Sequence, residues 1–311
     1  MNGLPDSLIQ PIEAILSGLG DPSPVRLAVL LEGGCINNAM RLETGQGRYL
    51  LKWNPEPLPR LFEVEAHALE LLAQTRTVRV PEVYGFANPS PGGPQPSCPA
   101  FILMEWLEGA DPSRKESPRD LQKLGEQMAE LHRQSVSPQN PPAYGLDYDN
   151  YVGSVVQVNG WDTDWPRFFA ERRLRPQMEL AQRNGYLSRE RRARLEKVIT
   201  RVYSLLAGVG TRPSLIHGDL WGGNIIPCPE GLALIDPSIY YAERETEIAY
   251  TELFQSFPAP FYQGYQSAWP LDPGYADRRS LYNLYHLVNH LNHFGEQYGP
   301  HVDAVLRRYA G

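Results

Sequence analysis

Ile216-His217-Gly218-Asp219-Leu220-Trp221-Gly222-Gly223-Asn224, continued ten residues later by Leu234-Ile235-Asp236, is the stretch whose reading decides the fold. Apolar residues before His217, at Ile225-Ile226 and from Leu232 to Ile235 predict short strands on either side of a tight, Gly-rich loop. Such a loop, carrying an acid and an amide with a second acid after the next short strand, is a place to do chemistry rather than to fill a core.

The spacing suggests which chemistry. An Asp, an Asn five residues on and an Asp after a short strand form the arrangement used for phosphoryl transfer from ATP. One carboxylate must accept a proton from the attacking hydroxyl, and Asp219 suits that role. Oxygen ligands must hold Mg²⁺ against the phosphates, and Asn224 and Asp236 suit that one. His217 is expected to orient the loop through hydrogen bonds. His-Gly-Asp alone would be a common turn; the upstream residues required by the same template make the difference.

Those residues occur in order. Glu32-Gly33-Gly34-Cys35-Ile36-Asn37-Asn38 lies between two strand-like runs, Val25 to Leu31 and Ala39 to Glu43, where small residues let backbone N–H groups approach phosphate. Thr44-Gly45-Gln46-Gly47 reads as a hairpin turn into a third strand, Arg48 to Trp53. Lys52 ends that strand, placed to reach the α- and β-phosphates. Glu65, on a helix expected from Phe62 to Ala73, is its predicted partner in preference to Glu63, because Leu69 and Leu72 follow at i+4 and i+7. Two further strands are predicted at Glu82 to Phe86 and Ala100 to Glu105. Met104, Glu105 and Leu107 then fall where an extended linker would offer backbone groups to adenine.

Around this frame, Ser7 is read as the cap of a short amphipathic helix carrying Leu8, Ile12, Ile15 and Leu16. After Trp106 helical patterns dominate. The expectation is therefore an α+β, bilobal fold: a small β-rich nucleotide-binding lobe over residues 1–105 and a larger, mainly helical catalytic lobe over 106–311.

The chain resembles the fructosamine kinase (ketosamine 3-kinase) family, a branch of the aminoglycoside phosphotransferase-like kinases with a protein-kinase-like fold. The resemblance rests on Gly33-Gly34-Cys35-Ile36, Val64-Glu65, Gln157-Val158-Asn159 leading to Asp164-Trp165-Pro166, Phe168-Phe169, Arg172 to Leu174, His217 to Asn224, and Asn292-His293-Phe294-Gly295. Pro237-Ser238, where relatives often have Pro-Ala, and Ala39-Met40 depart from the pattern. The resemblance implies ATP and Mg²⁺ as cofactors and transfer of the γ-phosphoryl group to the 3-hydroxyl of a ketosamine. The product is unstable and releases the amine, a deglycation. The resemblance suggests Asn292 and His293 as substrate residues. Trp221, two residues after Asp219, is placed to wall the sugar pocket, with core packing its rival reading. Competing readings are an aminoglycoside- or choline-type phosphotransferase and a nucleotide-binding pseudokinase scaffold. A protein kinase fits less well, because no Ala-Pro-Glu signature follows Asp236.

The remaining features set bounds. The 311 residues are 42% hydrophobic and 21% charged, as in an ordinary globular protein. A net charge of −7 and a pI near 5.6 argue against nucleic acid or an anionic membrane as partner. No signal-peptide pattern opens the chain, and its three cysteines lack metal-site spacing, which fits a reduced, cytoplasmic protein. Oligomeric state is not readable. His286, His290 and His293 recur at i, i+4 and i+7, but the outer two stand about 10 Å apart along a helix, too far to share one metal ion. His286 reads instead as a satisfied core histidine. Cys35, in the Gly-rich loop near Lys52, suggests redox sensitivity. Arg189 to Arg194, with acids interspersed, reads as a solvated helix face.

Overall fold

The computed structural model describes residues 3–31, 37–88, 98–108, 116–210, 212–254 and 257–310. Gly33, Gly34, Cys35 and Ile36, together with Glu32, lie outside the described residues. In chain order the elements begin with α1 (Asp6–Gly18), β1 (Leu27–Leu30), β2 (Asn38–Glu43), β3 (Arg48–Asn54), α2 (Leu61–Gln74), β4 (Val83–Ala87) and β5 (Ala100–Glu105). There follow α3 (Pro118–Gln134), β6 (Asn150–Val152), β7 (Val155–Gln157), α4 (Trp165–Phe168), a π-helical turn (Phe169–Leu174), α5 (Arg175–Arg183) and α6 (Arg189–Leu205). The rest is β8 (Ser214–Ile216), β9 (Ile225–Cys228), β10 (Gly231–Leu234), β11 (Tyr240–Ala242), α7 (Glu245–Thr251), α8 (Ala259–Ala268), α9 (Tyr275–Phe294) and α10 (Gly299–Ala310).

These elements form two compact units. One comprises Met1–Lys115 together with Ile226–Pro237; the other comprises Glu116–Ile225 and Ser238–Gly311. The segment Ile226–Pro237, which carries β10 and Asp236, thus belongs with the β-rich unit although it follows Asp219 in sequence. An isolated bridge between Arg79 and Ala233, and a bond from Leu234 N to Arg79 O of 2.8 Å, tie it there.

The first unit is built on an antiparallel five-stranded sheet in the order β1-β2-β3-β5-β4. The β2–β3 turn closes where Thr44 N donates to Gly47 O at 3.0 Å, as the Thr-Gly-Gln-Gly reading requires. Leu8, Ile12 and Leu16 of α1 pack with Met40, Leu42, Leu51, Trp53, Phe101 and Leu103 on one sheet face. Side chains alternate along β3, so burying Leu51 and Trp53 under α1 turns Lys52 to the opposite face. The cap of α1 differs from expectation. Pro5 holds the N-cap position, and Ser7 lies inside the first turn behind Asp6. Asp6 there suits the positive end of the helix dipole, which makes a hydroxyl cap dispensable.

The second unit has an aromatic-rich core in which Trp165, Phe168, Phe169, Tyr240 and Tyr282 pack with the apolar faces of α6 and α9. Helices α3 and α8 meet backbone to backbone. A Cβ at Gly125 would lie 1.9 Å from Phe261 O, and one at Gly264 would lie 2.0 Å from Gln122 O. The arginine-rich start of α6 is only partly a solvated face. Arg191 is buried, with Nη2 at 2.7 Å from Glu296 and Nε at 2.8 Å from Asp303. The two acids, far off in sequence, supply the charge that lets a guanidinium leave water. Among the described residues no helix is long and apolar enough to cross a membrane.

Candidate active site

In the β-rich unit three of the expected residues converge. Lys52 Nζ lies 2.6 Å from Glu65 Oε1, and the same ammonium binds Asp236 Oδ1. Burial alone would pull the lysine toward the neutral form, but the Asp236 and Glu65 carboxylates outweigh it and hold the ammonium above its ordinary range. A fixed positive charge inside a carboxylate pair is what a phosphate-binding lysine needs. Asp236 has φ +55, one of three positive values at non-glycine positions among the described residues. Aspartate tolerates that left-handed conformation better than most residues, and such outliers cluster at functional sites.

Close by in the same unit, Leu107 packs with Cys228 and Ala233, flanked by Ile226 and Ile235. Leu107, Cys228 and Ala233 are themselves buried, and Ile226 and Ile235 form the partly exposed edge of this cluster. Met104 is buried, so its side chain serves the core. Glu105 N donates to Glu82 O at 2.8 Å, and its carboxylate binds Arg79. A purine contact from Glu105 therefore falls to its carbonyl. Asn37 Oδ1 accepts from Asn54 Nδ2 at 3.0 Å, and Asn38 pairs with Trp53 in the sheet, so both are committed to structural contacts within the β-rich unit.

The helical unit carries the loop from His217 to Asn224. Gly218 has φ +83, and a Cβ there would stand 2.0 Å from Ser238 O, so no side chain fits between His217 and Asp219. His217 Nδ1 accepts from Asp219 N at 3.3 Å, the orienting contact expected of it. Asn224 Nδ2 donates to Asp219 O at 2.8 Å and to Asp219 Oδ2 at 3.1 Å. With its nitrogen so engaged, the amide turns its oxygen to the other side.

Sequence reasoning missed what holds this loop. Glu247, on α7, accepts His217 N at 2.9 Å and Gly218 N at 2.8 Å. His132, on α3, meets the same carboxylate at 3.0 Å and Tyr265 Oη at 2.9 Å. Tyr250, also on α7, donates to Asp219 Oδ1 at 2.9 Å. The only advance signal was the acid-rich run Glu243 to Glu247, which reads as a solvated helix start.

The expected substrate residues are not gathered equally. Trp221 is 45% exposed, with its six-membered ring over Gly223, which removes the core-packing reading. Asn292 Nδ2 is committed to Gln177, at 2.8 Å to Oε1 and 3.0 Å to O, and its oxygen accepts from Asn184 at 3.3 Å. His293 Nε2 accepts from Ser154 N at 3.0 Å. Both therefore carry structural bonds of their own. His286 is buried as expected, yet among the described residues its Nδ1 has no hydrogen-bond partner, so it is not the satisfied core histidine the pattern implied. Burial holds its imidazole well below the usual range, in the neutral form.

Residues 10–310 match the family model described as fructosamine kinase. A "probable ketoamine kinase" of Vibrio parahaemolyticus is 39% identical over 281 residues, covering 90% of this chain and 91% of that one. The chloroplastic protein-ribulosamine 3-kinase of Oryza sativa subsp. indica is 34% identical, covering 95% and 86% respectively. A crystal structure of a "putative fructosamine-3-kinase" from Thermobifida fusca superposes with TM-score 0.83 at 26% identity, over 98% of this chain and 99% of that one. The fold is the α+β, protein-kinase-like one that the motif predicts.

Proposed function

Because the chain belongs to the fructosamine kinase family, we propose that it transfers the γ-phosphoryl group of ATP to the 3-hydroxyl of a ketosamine, free or on a glycated protein. The observation that carries this reading is the Asp219 carboxylate, fixed by Asn224 and Tyr250 within a loop that Glu247 clamps. A base held this firmly needs no reorganisation as the hydroxyl arrives.

In the reaction the substrate oxygen attacks the γ-phosphorus as its proton passes to Asp219, and the bond to the β,γ-bridging oxygen breaks to release ADP. Lys52, held charged by Glu65 and Asp236, binds the phosphates. The linker at Glu105 and Leu107 offers its backbone groups to the purine. Asn224 and Asp236 are the residues that would hold Mg²⁺. Their amide and carboxylate oxygens are the hard donors that ion prefers, and a sparse protein ligand set suits an ion that keeps water and phosphate oxygens. When bound, it neutralises charge developing on the phosphates. Trp221 is the residue best exposed to meet the sugar. A phosphate on C3, next to the C2 carbonyl, becomes allylic once C1 loses a proton to give the enaminol. It then leaves as inorganic phosphate, and water hydrolyses the imine that remains to free the amine. That instability supports a role in deglycation. Cys98 and Cys228 are free thiols, which accords with a reduced, cytoplasmic setting.

The test is ATP consumption by the purified chain and its Asp219→Asn variant against ribulosyl-lysine, fructosyl-lysine, an aminoglycoside and choline. Asp219-dependent turnover of a ketosamine, with phosphate on O3, is the expected result. Turnover of only the aminoglycoside or choline would overturn the substrate assignment.

A further inference from the structure

Tyr250 touches the base of the proposed reaction from outside the catalytic loop. Asn224, which bonds one oxygen of Asp219, belongs to the same loop and moves with it. Tyr250 bonds the other oxygen at 2.9 Å from α7, thirty-one residues further along the chain. Its ring is buried and clamped. It stacks on His286 with centroids 3.8 Å apart and planes 18° apart, and meets Phe254 edge-on at 6.4 Å. Glu247 stands one turn earlier on α7, at i−3, so one helix face grips both the loop backbone and its reactive carboxylate.

We propose that Tyr250 is a positioning residue for phosphoryl transfer, its phenol holding Asp219 in the one rotamer that presents Oδ2 to the substrate hydroxyl. This rests on the assignment of Asp219 as the base. Burial, with the Asp219 charge beside it, keeps the phenol protonated well above its ordinary range, so it acts as a donor throughout the working range of the enzyme. A hydrogen bond to a carboxylate does not strengthen a base; it fixes its direction. The effect therefore belongs on the chemical step and not on binding. A buried tyrosine could also bond the nearest acceptor merely to satisfy its hydroxyl. The two roles separate in a double-mutant cycle.

The experiment uses the full chain with ATP and ribulosyl-lysine. Tyr250→Phe, which keeps the ring and its stacking on His286, should lower kcat about tenfold while both KM values stay within about twofold. In an Asp219→Asn background the same change should cost nothing further. In protein labelled with [4-¹³C]aspartate, the carboxyl resonance that Asp219→Asn removes should shift in Tyr250→Phe at fixed pH. An unchanged kcat, or an equal loss in both backgrounds, overturns the proposal. If the wild type turns over no ketosamine, the proposed function fails on that result alone. The carboxyl resonance then decides for Tyr250, and an unmoved signal rejects it.

Discussion

His132 and Glu247 meet at 3.0 Å with neither side chain open to solvent, and the same Glu247 carboxylate accepts from the backbone of the loop that runs from His217 to Asn224. Removing the carboxylate leaves three donors without their acceptor: His132 and the N–H groups of His217 and Gly218. Breaking a buried pair from one side is expensive, so Glu247→Ala should lose about 3–5 kcal/mol in urea denaturation. Glu247→Gln, which keeps one acceptor oxygen, should lose about 1–3 kcal/mol.

The same carboxylate predicts an acid-side loss of stability. Burial, the largest influence, would raise its pKa, but bonds from His132 and the His217 backbone outweigh it and leave it below the ordinary 4.5. The unfolded chain thus binds the proton more readily. Its contribution is complete above pH 4.5 and is lost as pH falls through the lower folded value. Melting curves of wild type and Glu247→Gln should therefore converge in acid. A gap that stays constant would contradict this.

Lys52→Met should abolish tight nucleotide binding, because it deletes the phosphate contact and leaves Glu65 and Asp236 as facing carboxylates. Calorimetric titration with an ATP analogue should show affinity reduced more than about tenfold. Glu65→Gln keeps the lysine charged and bonded, so it should have the smaller effect. A larger loss in Glu65→Gln than in Lys52→Met would reverse the assigned order.

Gly125→Ala sets two effects against each other. Alanine improves the propensity of α3 by about 1 kcal/mol over glycine. The added methyl would stand 1.9 Å from Phe261 O, a backbone atom of α8 that cannot rotate away. Overpacking of that kind costs about 1–3 kcal/mol or more, so the net change should be destabilising. A raised melting temperature would mean that the helices separate more easily than their packing indicates.

The nucleotide side of the site was legible because it follows local rules. Period-two burial turns Lys52 away from Leu51 and Trp53, and period-3.6 burial singles out Glu65 over Glu63. Gly218 and Asp219 announce a loop where no side chain fits between neighbours. The clamp on that loop was not legible. Glu245, Thr246 and Glu247 are all buried, so α7 shows no apolar stripe, and its partners His132 and Asp219 lie far off in sequence. Arg173 was hidden for a similar reason. In a run of arginines it reads as surface, yet it is fully buried, 3.8 Å above the ring of Tyr240, with Nη2 bonded to Asn159 at 2.7 Å. Long-range partners turn a polar residue inward, and no local period records them.

Asn292 and Trp221 should separate when each is truncated. Asn292 spends its side chain on Gln177 and Asn184, so Asn292→Ala removes three bonds between α9 and the α5 helix with its C-cap. At about 1 kcal/mol for each bond, stability should fall by about 2–3 kcal/mol. Kinetic constants measured well below the melting point should change little. Trp221 makes the opposite case. Its ring is 45% exposed and lies over Gly223, so Trp221→Ala should leave the melting temperature nearly unchanged. If the ring walls the sugar pocket, KM for the ketosamine should rise about tenfold, with KM for ATP unaffected. Equal effects on both substrates would place Trp221 outside that pocket. A thermal loss for Trp221→Ala as large as that for Asn292→Ala would return it to a structural role.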